Sequence, residues 1–183
     1  ENCMDGRCAK VRSRGSHSCE FTEKNLTGRD LSDIVYVTAN PNISRIDKET
    51  FYTVENCLRR WNSEVGTVMP GDVVDATLEV SSKFPNKRLI VHFMQPHQPY
   101  LGETADRINE KLDAHGYDSS PDGESVMDND SLRDQWNMDD TWVALRDDVL
   151  SVEEVRSAYK ETLNIVLGHV EELLESLDGK SVI

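Results

Sequence analysis

The segment Arg88-Leu89-Ile90-Val91-His92-Phe93-Met94 leads without a break into Gln95-Pro96-His97-Gln98-Pro99-Tyr100. Its first part is apolar and partly β-branched, and it reads as a buried strand. The second part carries two prolines, which cannot donate to a ladder and so cannot stay in a sheet. The strand must therefore end in a turn, with His97 between the prolines. Restricted backbone on both sides holds one imidazole at a strand's carboxyl end, where α/β folds keep their functional groups. That position suits contact with an anion or an ester oxygen. The plain alternative is a turn histidine with no chemistry.

The other elements fit around this strand. Glu20 to Leu26 reads as a short helix ended by Gly28. Ile34-Val35-Tyr36-Val37-Thr38 is a β-branched run that stops at Asn40-Pro41, and Phe51 to Val54 is a weaker strand candidate. Pro70-Gly71-Asp72 opens a helix with Val73, Val74, Thr77, Leu78 and Ser81 at helical spacing, closed by Pro85-Asn86. Short helices are expected near Ala105–Ala114 and Thr141–Leu150. The longest helix starts at Ser151, where Ser151 and Glu154 make a capping box. Val155, Tyr159, Leu163, Val166, Val170, Leu173, Leu174 and Leu177 form its expected apolar face, with Gly179 as the C-cap and a new strand starting at Ser181. This order predicts an α/β fold, a mostly parallel sheet with helices on both faces. All 183 residues are assigned to one domain, with a loop-rich acidic insertion at about 115–140.

Charge narrows the function. The chain has 34 Asp+Glu against 20 Lys+Arg, a formal net charge of -14. A field of that sign repels phosphates and argues against a nucleic-acid partner. Lys numbers 8 against 18 Asp, and the stretch Asp118–Asp148 has no Lys. One reading is binding of cations or of a basic partner. The other is a solvated surface suited to high salt. Asp128, Asp130 and Asp134 lack the Gly and distal Glu of a calcium loop. Mean hydropathy is -0.57, and no apolar run reaches the roughly 18 residues of a membrane span. Cys3, Cys8, Cys19 and Cys57 form no CxxC pair and no zinc spacing, so they read as free or buried thiols, with disulfide pairing left open. Asn25-Leu26-Thr27 and Asn42-Ile43-Ser44 match the glycosylation triplet, a pattern common by chance.

The His97 turn, with Pro99 and Tyr100 behind it, resembles the sulfatase-like branch of the alkaline phosphatase superfamily. There a strand ends in a "His-x-Pro-Tyr/Phe" turn. More closely, the chain is similar to sulfatase-like proteins of halophilic archaea, through Arg14-Gly15-Ser16-His17-Ser18, Val35-Tyr36-Val37-Thr38-Ala39-Asn40-Pro41 and the His97 stretch. The resemblance covers roughly residues 11 to 183, and it agrees with the high-salt reading of the acidity. It implies hydrolysis of sulfate or phosphate esters, including those of glycans, with His97 contacting the anionic group. It also implies a divalent metal (Ca, Mg, Mn or Zn) held by Asp, Asn and His ligands. Counting back from Leu26-Thr27-Gly28 places Ser18 at the family's nucleophile position. Glu20 and Thr22 stand where a formylglycine motif needs Pro and Arg, so only a plain hydroxyl nucleophile fits. The family's "Asp-x-x-Arg" strand and "Asp-His-Gly" ligands would lie outside the matched stretch. The chain is therefore expected to be an internal piece of a longer protein, inactive by itself.

Rival readings stand beside each candidate. Ser16, His17 and Ser18 also make a helix N-cap with a surface histidine, and Cys19 is an adjacent candidate nucleophile. His92 reads as a core histidine, His115 as surface, and His169 as packing on the long helix. Trp136 and Trp142 read as core anchors or as the walls of a sugar-binding cleft. Beside the hydrolase stand a non-catalytic anion- or glycan-binding module and an inactive gene remnant. Cytoplasm and cell surface both stay open.

Overall fold

The computed structural model describes residues 10–16, 18–41, 48–117 and 138–177. Helix α1 spans Ser18–Asn25 and leads through Gly28 (φ 73°) into strand β1, Leu31–Thr38. Strand β2 is Phe51–Asn56, and a 3-10 turn at Cys57–Arg60 follows it. A small antiparallel hairpin pairs β3 (Trp61–Asn62) with β4 (Thr67–Val68). Then come α2 (Pro70–Lys83), β5 (Arg88–His92) and α3 (Glu103–Ala114). Helices α4 (Met138–Arg146) and α5 (Val152–Ser176) complete the chain's described elements.

The fold is α/β, built on a parallel three-stranded sheet in the order β2-β1-β5. β1 is central, with Tyr36 opposite Val54 on one side and opposite Ile90 on the other. Its run of Ile34 to Thr38 is buried throughout, as a strand covered on both faces requires. Alternation divides the side chains. Val35, Val37 and Ala39 pack with Cys57, Val68, Val73, Ala76 and Val80, which places α2 on that face. Ile34 and Tyr36 pack with Phe51 on the other face, where Leu26 at the exit of α1 joins them.

Beyond α2 lies a helical layer. α5 packs against both α2 and α3, and α3 packs against α4. Ile108, Leu112, Ala144, Leu150, Val155 and Ala158 form its core. The buried stripe of α5 runs through Val155, Ala158, Thr162, Val166 and Leu173. It is rotated from the expected face: Tyr159 is exposed, while the small Ala158 and Thr162 are fully buried. Small residues let neighbouring backbone come close, and the Leu101 peptide occupies that space. Trp142 is likewise exposed, not a core anchor. His169 does pack, with Gly71 of α2 beside its ring, and it pairs with Glu172 at 3.3 Å. His115 is exposed, and Cys57 is a buried thiol.

No helix among the described residues is long and apolar enough to cross a membrane. The expected insertion at about 115–140 falls mostly on residues 118–137, outside those described, with Trp136 and the Asp128, Asp130 and Asp134 cluster. Cys3, Cys8, His17, Asn42, Gly179 and the strand expected from Ser181 lie outside them too.

The start of α5 has the predicted cap. Ser151 Oγ accepts from the Glu154 amide at 3.2 Å, and the Glu154 carboxylate accepts from the Ser151 amide at 2.7 Å. Lys111 of α3 donates to the same carboxylate at 2.8 Å. Lys111 first, then Ser151, hold Glu154 down to about 2, against an ordinary 4.5. Ser151→Ala is expected to lower the urea unfolding free energy by about 1 kcal/mol. Because the folded value is depressed, the Glu154 contribution is complete above pH 4.5 and lost as pH falls toward 2. Glu154→Gln should flatten that part of the stability profile.

Candidate functional site at the carboxyl edge of the sheet

The two ends of the sheet differ. At the amino end, Arg88 makes an exposed bidentate pair with Asp33, and Lys87 reaches the Ser32 carbonyl and the Tyr52 ring. Exposed pairs of this kind contribute little. At the carboxyl end the polar groups are buried: Thr38, Asn40 and Gln95, beside Cys57. Burial pushes the Cys57 thiol up to about 11, so it stays protonated and inert.

His97 lies on the turn that leaves β5, as predicted. The Met94 carbonyl accepts from the His97 amide at 3.1 Å, and the peptide bonds before Pro96 and Pro99 are both cis. Both ends of this turn are tied down. Upstream, the Gln95 side chain is buried and donates through Nε2 to Thr67 Oγ1 (3.2 Å) and to the Val68 carbonyl (3.0 Å). Its Oε1 is buried without a partner among the described residues. Downstream, the Leu101 amide donates to Thr162 Oγ1 at 2.8 Å. Glu161 accepts from the amides of Glu103 and Thr104, which caps α3. Gly102 has φ 98°, and a Cβ there would lie 2.5 Å from Glu161 Oε1. The positive φ favours glycine, and a Cβ would also push the Glu161 side chain off the α3 cap.

His97 itself is exposed. Its Nδ1 lies 2.9 Å from the Gln98 carbonyl, which can only accept, so Nδ1 carries a proton. In the neutral ring, Nε2 then holds the lone pair. A ring in this tautomer can act through Nε2 as a base or ligand, or as a donor to an anion when protonated. Ser18 opens α1, and its side chain, like that of Cys19, lies outside the described residues.

A second feature was not singled out as a site from the sequence. Between α1 and the sheet lies a cleft of about 520 Å³, lined by Gly15, Ser16, Phe21, Thr22, Asn25, Leu26, Tyr36, Ile90, Val91 and His92. His97 is not among its walls. Tyr36 Oη and His92 Nδ1 are 2.7 Å apart, and the two rings stack with centroids at 6.1 Å. Burial pushes the Tyr36 phenol up, against a smaller opposing pull from Thr38, and burial pushes the His92 imidazole down. Both groups are neutral near pH 7. His92 is only half-buried and faces the cleft, so it is not the enclosed core histidine expected from the sequence. At the cleft rim, Ser16 donates from its amide and its hydroxyl to Glu20, which Lys24 also contacts. The sequence signal for this cleft was the coincidence of Tyr36 and His92 on neighbouring strands, which needs the strand pairing to be read.

No protein-family model, curated protein or solved structure matches the chain.

Two outcomes test this geometry. Gln95→Ala should lower stability by about 1–3 kcal/mol, because it strips a donor from the buried Val68 carbonyl. His92 should titrate below the ordinary histidine value of about 6.5. Its folded value is depressed, so its contribution is complete above that value and lost as pH falls through it toward the folded one. His92→Gln should flatten stability against pH in that window, read by urea midpoints.

Proposed function

We propose that this chain is part of a sulfatase-like α/β hydrolase domain in which the carboxyl edge of the sheet receives a sulfate or phosphate ester. The observation that carries the reading is the His97 turn. It leaves the carboxyl end of a parallel strand, is tied at both ends, and has its ring proton committed at Nδ1. A turn held in this way keeps His97 at a constant position, which is what orientation of an anionic group demands. In this reading His97 contacts the ester's anionic oxygens and Ser18 is the hydroxyl at the nucleophile position.

A metal would belong to such a site by family resemblance. Among the described residues, no group of three or more His, Cys, Asp or Glu is placed to hold one. The described residues therefore supply no complete ligand set for a metal. What this chain's residues do is bind and orient the ester.

The test is binding of 4-nitrophenyl sulfate and 4-nitrophenyl phosphate to the 183-residue chain in concentrated KCl. Binding is followed by the His97 ring signals in NMR, with nitrophenol release recorded in the same samples. The expected result is a saturable shift of His97 and, in His97→Ala, at least tenfold weaker binding, about 1.4 kcal/mol. Equal affinity in His97→Ala would overturn the reading. Since the chain by itself is expected to be inactive, binding lost in His97→Ala with no turnover by the full-length protein in the presence of divalent ions would move it to the non-catalytic anion-binding modules.

A further inference from the structure

The cleft between α1 and the sheet has a composition unlike the His97 turn. Its walls include Phe21, Leu26, Ile90 and Val91, and among the described residues no Lys or Arg lines it. Its volume, about 520 Å³, lies within the roughly 300–1,000 Å³ usual for small-molecule pockets. It is half-enclosed, with the ring of Phe21 about half exposed. Ser16, Thr22 and Asn25 bring polar groups to the α1 side, and the Tyr36–His92 pair is the polar centre on the sheet side. Thr38 also bonds the Tyr36 phenol; with the phenol proton on the 2.7 Å line to Nδ1, the neutral imidazole carries its own proton on Nε2. Among the described residues, Nε2 has no protein partner. In that tautomer a donor is presented in a cavity whose described walls are largely apolar and carry no cation.

We propose that this cleft binds a small neutral aromatic molecule bearing one hydrogen-bond acceptor, with the ring against Phe21, Leu26 and Ile90 and the acceptor on His92 Nε2–H. An anion is disfavoured, because it would be desolvated here without a counter-charge. An apolar ring alone would leave the Nε2 donor buried and unpaired. The proposal does not rest on the ester-hydrolase reading, since none of its residues is His97 or Ser18.

The probes are acetophenone, its carbonyl-free counterpart ethylbenzene, and benzoate. The readout is the ring 15N signals of His92 in the labelled full chain. Unliganded His92 is expected as the Nε2–H tautomer. Acetophenone should bind saturably and shift Nε2, with ethylbenzene at least about fivefold weaker, the scale of one neutral hydrogen bond, and benzoate weaker still. Thr22→Phe, a substitution on the α1 wall, should block binding while the circular dichroism stays that of the unsubstituted chain. Three results would each overturn the proposal: an Nδ1–H tautomer at His92, equal affinity for acetophenone and ethylbenzene, or no saturable shift with acetophenone. Occupation of the cleft by another part of the chain would appear as the last of these.

Discussion

The buried Gln95 amide and the buried Thr162 hydroxyl hold the most informative part of this molecule. One ties the exit of β5 to the β3–β4 hairpin, and the other ties the Leu101 peptide to the centre of α5. Between them run Pro96, His97, Gln98 and Pro99. An exposed loop with two prolines gains rigidity from fixed φ angles, but its position comes from its ends. Here the ends are fastened to separate layers, the sheet side and the helical layer. The turn therefore bridges the two layers, and its geometry depends on both being formed.

This arrangement accounts for the placement of polar chemistry. In a parallel sheet the strands' carboxyl ends open onto the same edge, and that edge is where connecting segments diverge. Thr38, Asn40 and Gln95 are buried there, whereas the amino edge carries exposed charge pairs. The two faces of the sheet differ as well. The face bearing Val35 and Val37 is filled by α2, with α5 behind it. The face bearing Tyr36 is only partly covered by α1, and the cleft follows from that gap. One strand thus supports a sealed core on one side and, on the other, a Tyr36–His92 pair at the wall of a cleft.

Much of this was legible in the sequence because the signals are local. β-branched runs gave β1 and β5, Pro70 gave the start of α2, and Ser151 with Glu154 gave the cap of α5. The turn was legible because two prolines leave few alternatives. What was not legible depends on tertiary packing. The rotation of the α5 stripe toward Ala158 and Thr162 is set by the approach of Leu101, which no heptad count reveals. Trp142 lies outside the core although tryptophan is mostly buried on average. The hairpin at Trp61–Val68 has strands too short for a period. The Tyr36–His92 pair is separated by 56 positions and appears only once β1 and β5 are aligned.

Tied at both ends, the His97 turn is part of the rigid fold. That rigidity is tested most directly by amide hydrogen exchange of His97 and Leu101 in the full chain, since their amides are bonded to the Met94 carbonyl and to Thr162 Oγ1. The account predicts that both exchange slowly, alongside the amides of β1, and that Thr162→Val accelerates Leu101. Exchange of both at the rate of an unstructured peptide would contradict it.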